Sequence, residues 1–387
     1  MLGRAGGIRW FLFAVLAVVG AAQVSSAQIT DLYNFQGGTG DGAQPDGSFI
    51  AVGSTLYGMT SIGGATGNGT IFSYSLLTGQ ESLLYSFAGV PNDGGHPTGS
   101  FIQSSLNPQI LYGMTEGGGN GGGTLFSYDI VTGIETPLTT NLDLEEFFRE
   151  PYGSLVQSGS VLYGTAGGLF EFDTTTNVAT PLTNSFRAAV QTPTLSGTML
   201  YGTALLAPGQ LGIWSYNLQT GQENTLYLFP NSVNDVSSLT ISGDVLYGDT
   251  GSSIFSYNLN TSTFQTLISG ISAGAGSLLL DGPNLYGASP GGADVFDFNL
   301  TSDTLDILGS FPGSGDDGAG PYGGLTLVGT NLYGMTEGAG ADNQGTIYSV
   351  PIPEPTTIAL FTSGIGCLLI GRRSRRWIST SRRLSCV

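Results

Sequence analysis

The chain has 387 residues, 63 of them glycine, with 28 acids against ten basic residues and a formal net charge of −18. A surface this acidic repels phosphate backbones, which excludes nucleic acid as an ordinary partner. His96 is the only histidine and the two cysteines, Cys367 and Cys386, stand at the far C-terminus, so the body has neither disulfide staples nor a His/Cys metal centre.

The N-terminus reads as a secretory signal. Arg4 and Arg9 precede an apolar run from Trp10 to Val19, and Ser25 and Ala27 occupy the small-residue positions of a cleavage site. The run is shorter than the roughly 20 residues that span a bilayer. Residues 1–27 are therefore expected to be removed, with a mature start at Gln28. From 28 to 353 there are 27 acids against Arg149 and Arg187 alone, a net charge of −25.

The body is a tandem repeat. Leu-Tyr-Gly occurs seven times, with its tyrosine at 57, 112, 163, 201, 247, 286 and 333, a mean spacing of 46 residues. Each copy is preceded by a short apolar segment such as Ser48-Phe49-Ile50 or Ser154-Leu155-Val156. A Gly-containing turn and an aromatic run follow it, as in Ile71-Phe72-Ser73-Tyr74 or Ile213-Trp214-Ser215-Tyr216. A second turn, such as Leu77-Thr78-Gly79, leads to a fourth segment such as Leu84-Tyr85-Ser86-Phe87. Aromatic and β-branched runs punctuated by Gly and Asn are strand and hairpin signals. Four strands per repeat of this length make a propeller blade. The seventh repeat stops after its third strand at Val350, and Leu32-Tyr33-Asn34-Phe35 supplies a matching fourth strand from the other end of the chain. The expected fold is all-β: a seven-bladed propeller of four-stranded antiparallel blades over residues 28–351, closed by the N-terminal strand. A right-handed β-solenoid is the alternative, but it would not need this end-to-end match.

One connection recurs with fixed offsets, Phe-x-Gly-x-x-x-Asp-Gly-x-x-Pro, starting at Phe35, Phe87 and Phe311. It links strand four of one blade to strand one of the next. Long Gly-rich turns join strands two and three at 61–70, 116–124 and 337–346. Strand direction alternates within an antiparallel blade, so both kinds of connection emerge on one face. The blades concerned are seven, one and two, neighbours in a closed ring. One sector would thus present Asp41, Asp93, Asp317, Glu116, Glu337 and Asp342. Two readings of these acids stand side by side. Asp-Gly is a turn dipeptide whose carboxylate caps its own loop. Clustered carboxylates also suit calcium, although the Asp-x-Asp spacing of a calcium loop is missing. No other cofactor is expected. His96, beside Pro97, reads as a lone loop residue. Asn141 to Glu150 reads as an insertion between blades, and no catalytic residue can be assigned. A carboxylate pair could in principle cleave a glycan, but 27 acids scattered through turns make any chosen pair arbitrary.

The C-terminus carries Pro353-Glu354-Pro355, an apolar stretch from Thr356 to Gly371, and the cluster Arg372, Arg373, Arg375 and Arg376, followed by a basic tail at 377–387. Basic residues after an apolar span stay on the cytoplasmic side. At about 1.5 Å per residue the stretch makes a short transmembrane helix. Residues 352–376 resemble the PEP-CTERM sorting signal. The resemblance implies an exosortase-type processing protease as partner, transient residence in the inner membrane and a mature protein at the cell surface, outer membrane or matrix. A plain membrane anchor is the alternative.

The repeats themselves resemble the GloVer tandem repeat, best at Leu56 to Tyr74, Leu111 to Tyr128 and Leu332 to Tyr348. Kelch-type repeats are similar, but their paired glycines and tryptophan are not regularly placed here. The resemblance implies an exported repeat protein. The expected role is therefore non-catalytic, binding extracellular polysaccharide or a surface protein through one propeller face. A calcium-stabilised coat protein and a carbohydrate-active enzyme, either glycosidase or lyase, are the alternatives.

Overall fold

The computed structural model describes residues 28–353 except 120–121, 140–150, 152, 184–190, 208, 272–275, 290–292, 312–317 and 322. These residues form seven antiparallel sheets arranged as the blades of a propeller. Blade one comprises Gly42–Val52, Thr55–Gly63, Thr70–Ser75 and Gln80–Ser86, each paired to the next. Among the described residues there is no α-helix, and no helix is long and apolar enough to cross a membrane. The signal segment 1–27, the insertion at 141–150 and the expected sorting helix with its flanks, 354–387, lie outside the described residues.

Ring closure follows the expected pattern. The fourth strand of blade seven is Thr30–Asn34, antiparallel to Thr346–Pro351, with Tyr33 opposite Ile347 and Asn34 opposite Thr346. The Phe35 amide continues the ladder, donating to the Gly345 carbonyl at 3.0 Å. Near the axis, the Thr326 hydroxyl of blade seven donates to the Phe49 carbonyl of blade one at 2.7 Å.

The glycine of Leu-Tyr-Gly has a single physical reason in all seven blades. It lies directly opposite the second residue of the aromatic run: Phe72, Phe126, Phe170, Trp214, Phe255, Phe296 or Tyr348. The ring folds back across the glycine. A Cβ at Gly58 would come 2.6 Å from the Phe72 ring, and one at Gly202 would come 2.4 Å from the Trp214 indole. Aromatic cover over a strand glycine is a known device for pinning register. The leucine of the motif is buried and its tyrosine lies at a blade junction.

The apolar core is accordingly divided. Among the described residues it forms seven clusters, each joining two adjacent blades. The cluster that closes the ring contains Phe35, Phe49, Leu56, Phe72 and Tyr74 with Tyr333, Met335 and Ile347. Within it, Phe35 meets Phe72 edge-on at 5.0 Å. The arrangement repeats one blade later, where Phe87 meets Phe126 at 5.1 Å. Such pairs add about 0.5–1.5 kcal/mol beyond their buried area. The first phenylalanine of the recurring connection is thus a core residue that locks one blade onto the next.

The connections in the elaborated sector differ from the loops expected. Their second halves are strand. Gly42–Val52 begins at the residue after Asp41, and Gly42 pairs with Gly63 inside the segment read as a long turn. Gly94 pairs with Gly118 and Gly318 with Ala339 in the same way. Blades one, two and seven therefore extend their first two strands above the ring. The extension is stabilised by a buried hydroxyl pair at its base: Thr60 with Thr70, Thr115 with Thr124, and Thr336 with Thr346, at 2.7, 2.8 and 3.0 Å. Composition hid this, because glycine is depleted in ordinary strands. Here a larger residue at Gly42 would strike Thr60 and Thr70.

Candidate functional site

The extended hairpins clasp one another. Gln44 and His96 occupy the same repeat position with the same left-handed φ of 53°, immediately before the motif proline. That kink turns each amide toward the preceding blade. Gln44 donates to the Gln344 carbonyl at 2.8 Å, and His96 to the Asn68 carbonyl at 2.7 Å. His96 is exposed, with its Nδ1 3.0 Å from the Ser61 carbonyl. As expected, blades seven, one and two form one continuous sector on the face where strands two to three and four to one connect.

Within it, Asp41 and Asp93 are buried acceptors rather than displayed ligands. The Asp41 carboxylate receives the Tyr33 hydroxyl at 2.9 Å, the Gln36 amide at 2.7 Å and the Gly42 amide at 2.7 Å. Asp93 repeats the set one blade on, with Tyr85 at 2.9 Å, the Ala88 amide at 2.5 Å and the Gly94 amide at 2.7 Å. At Asp41 and Asp93 the carboxylate takes the turn role, one of the two readings the sequence leaves open, and a tyrosine from the preceding strand is added to it. Asp317, the third copy, lies outside the described residues, as do Glu354, Pro355 and the arginine cluster; Pro353 is the last residue described. Asp342 is exposed on the 340–345 turn, and Glu337 is exposed on its strand.

Glu116 and Glu337 act electrostatically on another acid, Asp46. Burial raises the Asp46 carboxyl above its usual range, the Gly47 amide opposes this, and Glu337 and Glu116 raise it further. Asp46 went unnoticed in the sequence, although it follows Pro45 of the recurring motif. Two more acids were missed. Glu81 and Glu135 sit at the second position of the fourth strands of blades one and two, each behind a tyrosine of the preceding blade. Burial, then the charge of Asp41, pushes Glu81 up to about 7, against the lowering effect of the neighbouring Tyr33 hydroxyl. Glu135 is pushed up to about 7 by burial and Asp93, against Tyr85. Their signal was available in the recurrent Thr-Gly-x-Glu at 78–81, 132–135 and 220–223.

Among the described residues no group of three His, Cys, Asp or Glu side chains stands close enough to hold a metal ion. We expect calcium and magnesium at equal ionic strength to raise the melting temperature alike, because both relieve repulsion in a −25 body. A calcium-specific rise, abolished by replacing Asp41, Asp93 and Asp317 with Asn, would contradict the turn assignment.

Solved structures share the architecture at low identity. An oligogalacturonate lyase in complex with manganese matches at 15% identity and TM-score 0.56, covering 86% of this chain and 95% of that one. The oligogalacturonate lyase of Vibrio parahaemolyticus matches at 12% and 0.57, with coverage of 86% and 95%. The extracellular domain of BT3049 from B. thetaiotaomicron matches at 15% and 0.59, covering 85% of this chain and 42% of that one. At these identities the likeness concerns the propeller fold alone. No curated protein matches the chain. The Gloeobacter/Verrucomicrobia repeat model matches residues 18–176, so this part of the chain is similar to that repeat.

Proposed function

We propose that this is an exported, non-catalytic surface or matrix protein that binds a glycan or a protein partner through the sector formed by blades seven, one and two. The observation that carries this reading is polarity of placement. The body begins beside Thr30, which pairs with Ser349, and ends beside Ile352, whose amide donates to the carbonyl of Thr330 in the first turn of blade seven. Both ends leave the face opposite the extended hairpins. A tail sorted or anchored at 352–376 therefore leaves those hairpins pointing outward. Export is also in keeping with the extracellular origin of similar propellers such as the BT3049 domain.

Charge narrows the partner. Among the described residues His96 is the only basic side chain, so the sector repels polyuronates and sulfated polymers. It offers amides and hydroxyls instead, from Gln36, Thr66 and Gln344, to a neutral polyol. The lyase reading is disfavoured on the same ground, since an oligogalacturonate is itself a polyanion. The test is a binding screen of the purified full chain against neutral and anionic polysaccharides, with product analysis on galacturonan. Retention on neutral polymers without turnover supports the reading. Cleavage of galacturonan, or binding confined to anionic polymers, overturns it.

A further inference from the structure

A phenol has one proton to give. The Tyr33 hydroxyl gives its proton to Asp41 at 2.9 Å, yet it also meets the carboxyl of Glu81 on the neighbouring blade. Asp41 already accepts two backbone amides, the acceptor-only pattern of an ionised carboxylate. Glu81 has the opposite surroundings: its Oε1 is buried without a hydrogen-bond partner. One blade later, Tyr85, Asp93 and Glu135 repeat the arrangement, down to the buried, unpartnered Oε1 of Glu135. Glu223 occupies the same repeat position in blade four with a different solution. There the Thr183 hydroxyl donates to it directly at 2.7 Å.

We propose that Glu81 and Glu135 are acid-closed latches between blades: each, as the neutral acid, donates its proton to the tyrosine of the preceding blade, Tyr33 or Tyr85, whose own proton is held by Asp41 or Asp93. Ionisation releases the glutamic acid proton to solvent and leaves two carboxylates competing for one phenol. The first latch joins the closing strand, Thr30–Asn34, to blade one, and the second joins blade one to blade two. Both lie in the elaborated sector.

The groups facing Glu81 are Tyr33 from the closing strand, Asp41 from the connection, and Tyr74 opposite on its own sheet. Those facing Glu135 are Tyr85, Asp93 and Tyr128. None of these is a cation, so protonation is the available relief of charge. Both carboxyls move from 4.5 to about 7 in the fold. A folded value above the unfolded one gives stability that is complete below about 4.5 and is lost as the pH rises through about 7. Each latch can change the folding equilibrium by up to about tenfold per pH unit inside that window, less to the extent that solvent reaches it. Asp297, pushed up to about 6 by burial and by Asp306 opposite, adds a background slope of the same sign.

The test therefore compares variants. Melting temperatures of the full chain are measured from about pH 5 to about pH 8 for the parent and for the Glu81→Gln, Glu135→Gln double variant, in which a neutral amide can still donate to each tyrosine. The parent should lose stability across the window, with the double variant flatter and the more stable of the two at the alkaline end. Superimposable profiles would overturn the proposal. Carbon-13 carboxyl titration of the parent chain decides the matter even if the variant fails to fold. Two glutamates with midpoints near 7 support the latches, and midpoints near the ordinary 4.5 overturn them.

Discussion

Removing residues 28–36 should unfold the protein or drive it into aggregates. The deletion takes away the fourth strand of blade seven, together with Phe35, which is fully buried against Phe72, and the partly buried Leu32 and Tyr33. Losing one buried phenylalanine side chain costs about 3–5 kcal/mol. Losing the strand adds the ladder to Thr346–Pro351 and the hydrogen bond from the Tyr33 hydroxyl to Asp41. The sum reaches the whole stability of an ordinary domain, about 5–15 kcal/mol. It also bares the edge of Thr346–Pro351, a template for pairing with other chains. A truncated protein that stays soluble and melts like the parent would show that the ring does not depend on this closure.

The second large effect belongs to the glycine of the repeat. Replacing Gly202 by alanine places a methyl group 2.4 Å from Cζ2, 2.7 Å from Cε2 and 3.0 Å from Nε1 of Trp214, a side chain with no exposed surface. A buried indole held between two blades has little room to retreat. Overpacking of this kind costs about 1–3 kcal/mol, occasionally more, and the upper end is expected here. Gly338→Ala is the matched control: that position also lies in a second strand, but an added Cβ meets nothing within 4 Å. Thermal melts should show a drop of several degrees for Gly202→Ala and almost none for Gly338→Ala. Equal melting temperatures would remove ring cover as the reason for the repeated glycine.

Much of the fold was legible because its signals are local and repeated. Seven copies of Leu-Tyr-Gly marked seven second strands, and the orphan segment at Leu32 to Phe35 identified its partner across more than 300 residues. Boundaries were less visible. The apolar run Ser154 to Val156 points to the first strand of blade three, which is Val156–Ser158. The extended hairpins were read as loops because glycines at 42, 63, 94 and 118 look like turn residues. The real constraint at Gly42 and Gly94 is the threonine pair packed against them, and at Gly63 and Gly118 a left-handed φ close against the backbone of the paired strand; neither shows in a single repeat. The sector is legible in the recurring connection, and the turn role of Asp41 and Asp93 is one of the two readings their Asp-Gly steps allow. The partners of those aspartates are not legible, because Tyr33, Glu81, Tyr85 and Glu135 meet across blade junctions, and local periodicity carries no information about facing blades. Asp46 was missed for the same reason: its charged neighbours, Glu116 and Glu337, come from blades two and seven.

The central claim is that a strand from the chain's N-terminal end completes the last blade. Amide hydrogen exchange of the full chain, read at residues 30–34 and 346–351, tests it most directly. The closed ring predicts that both segments are protected and lose protection together, at the free energy of global unfolding. Rapid exchange at 30–34, with 346–351 protected as an exposed edge or not at all, would contradict it.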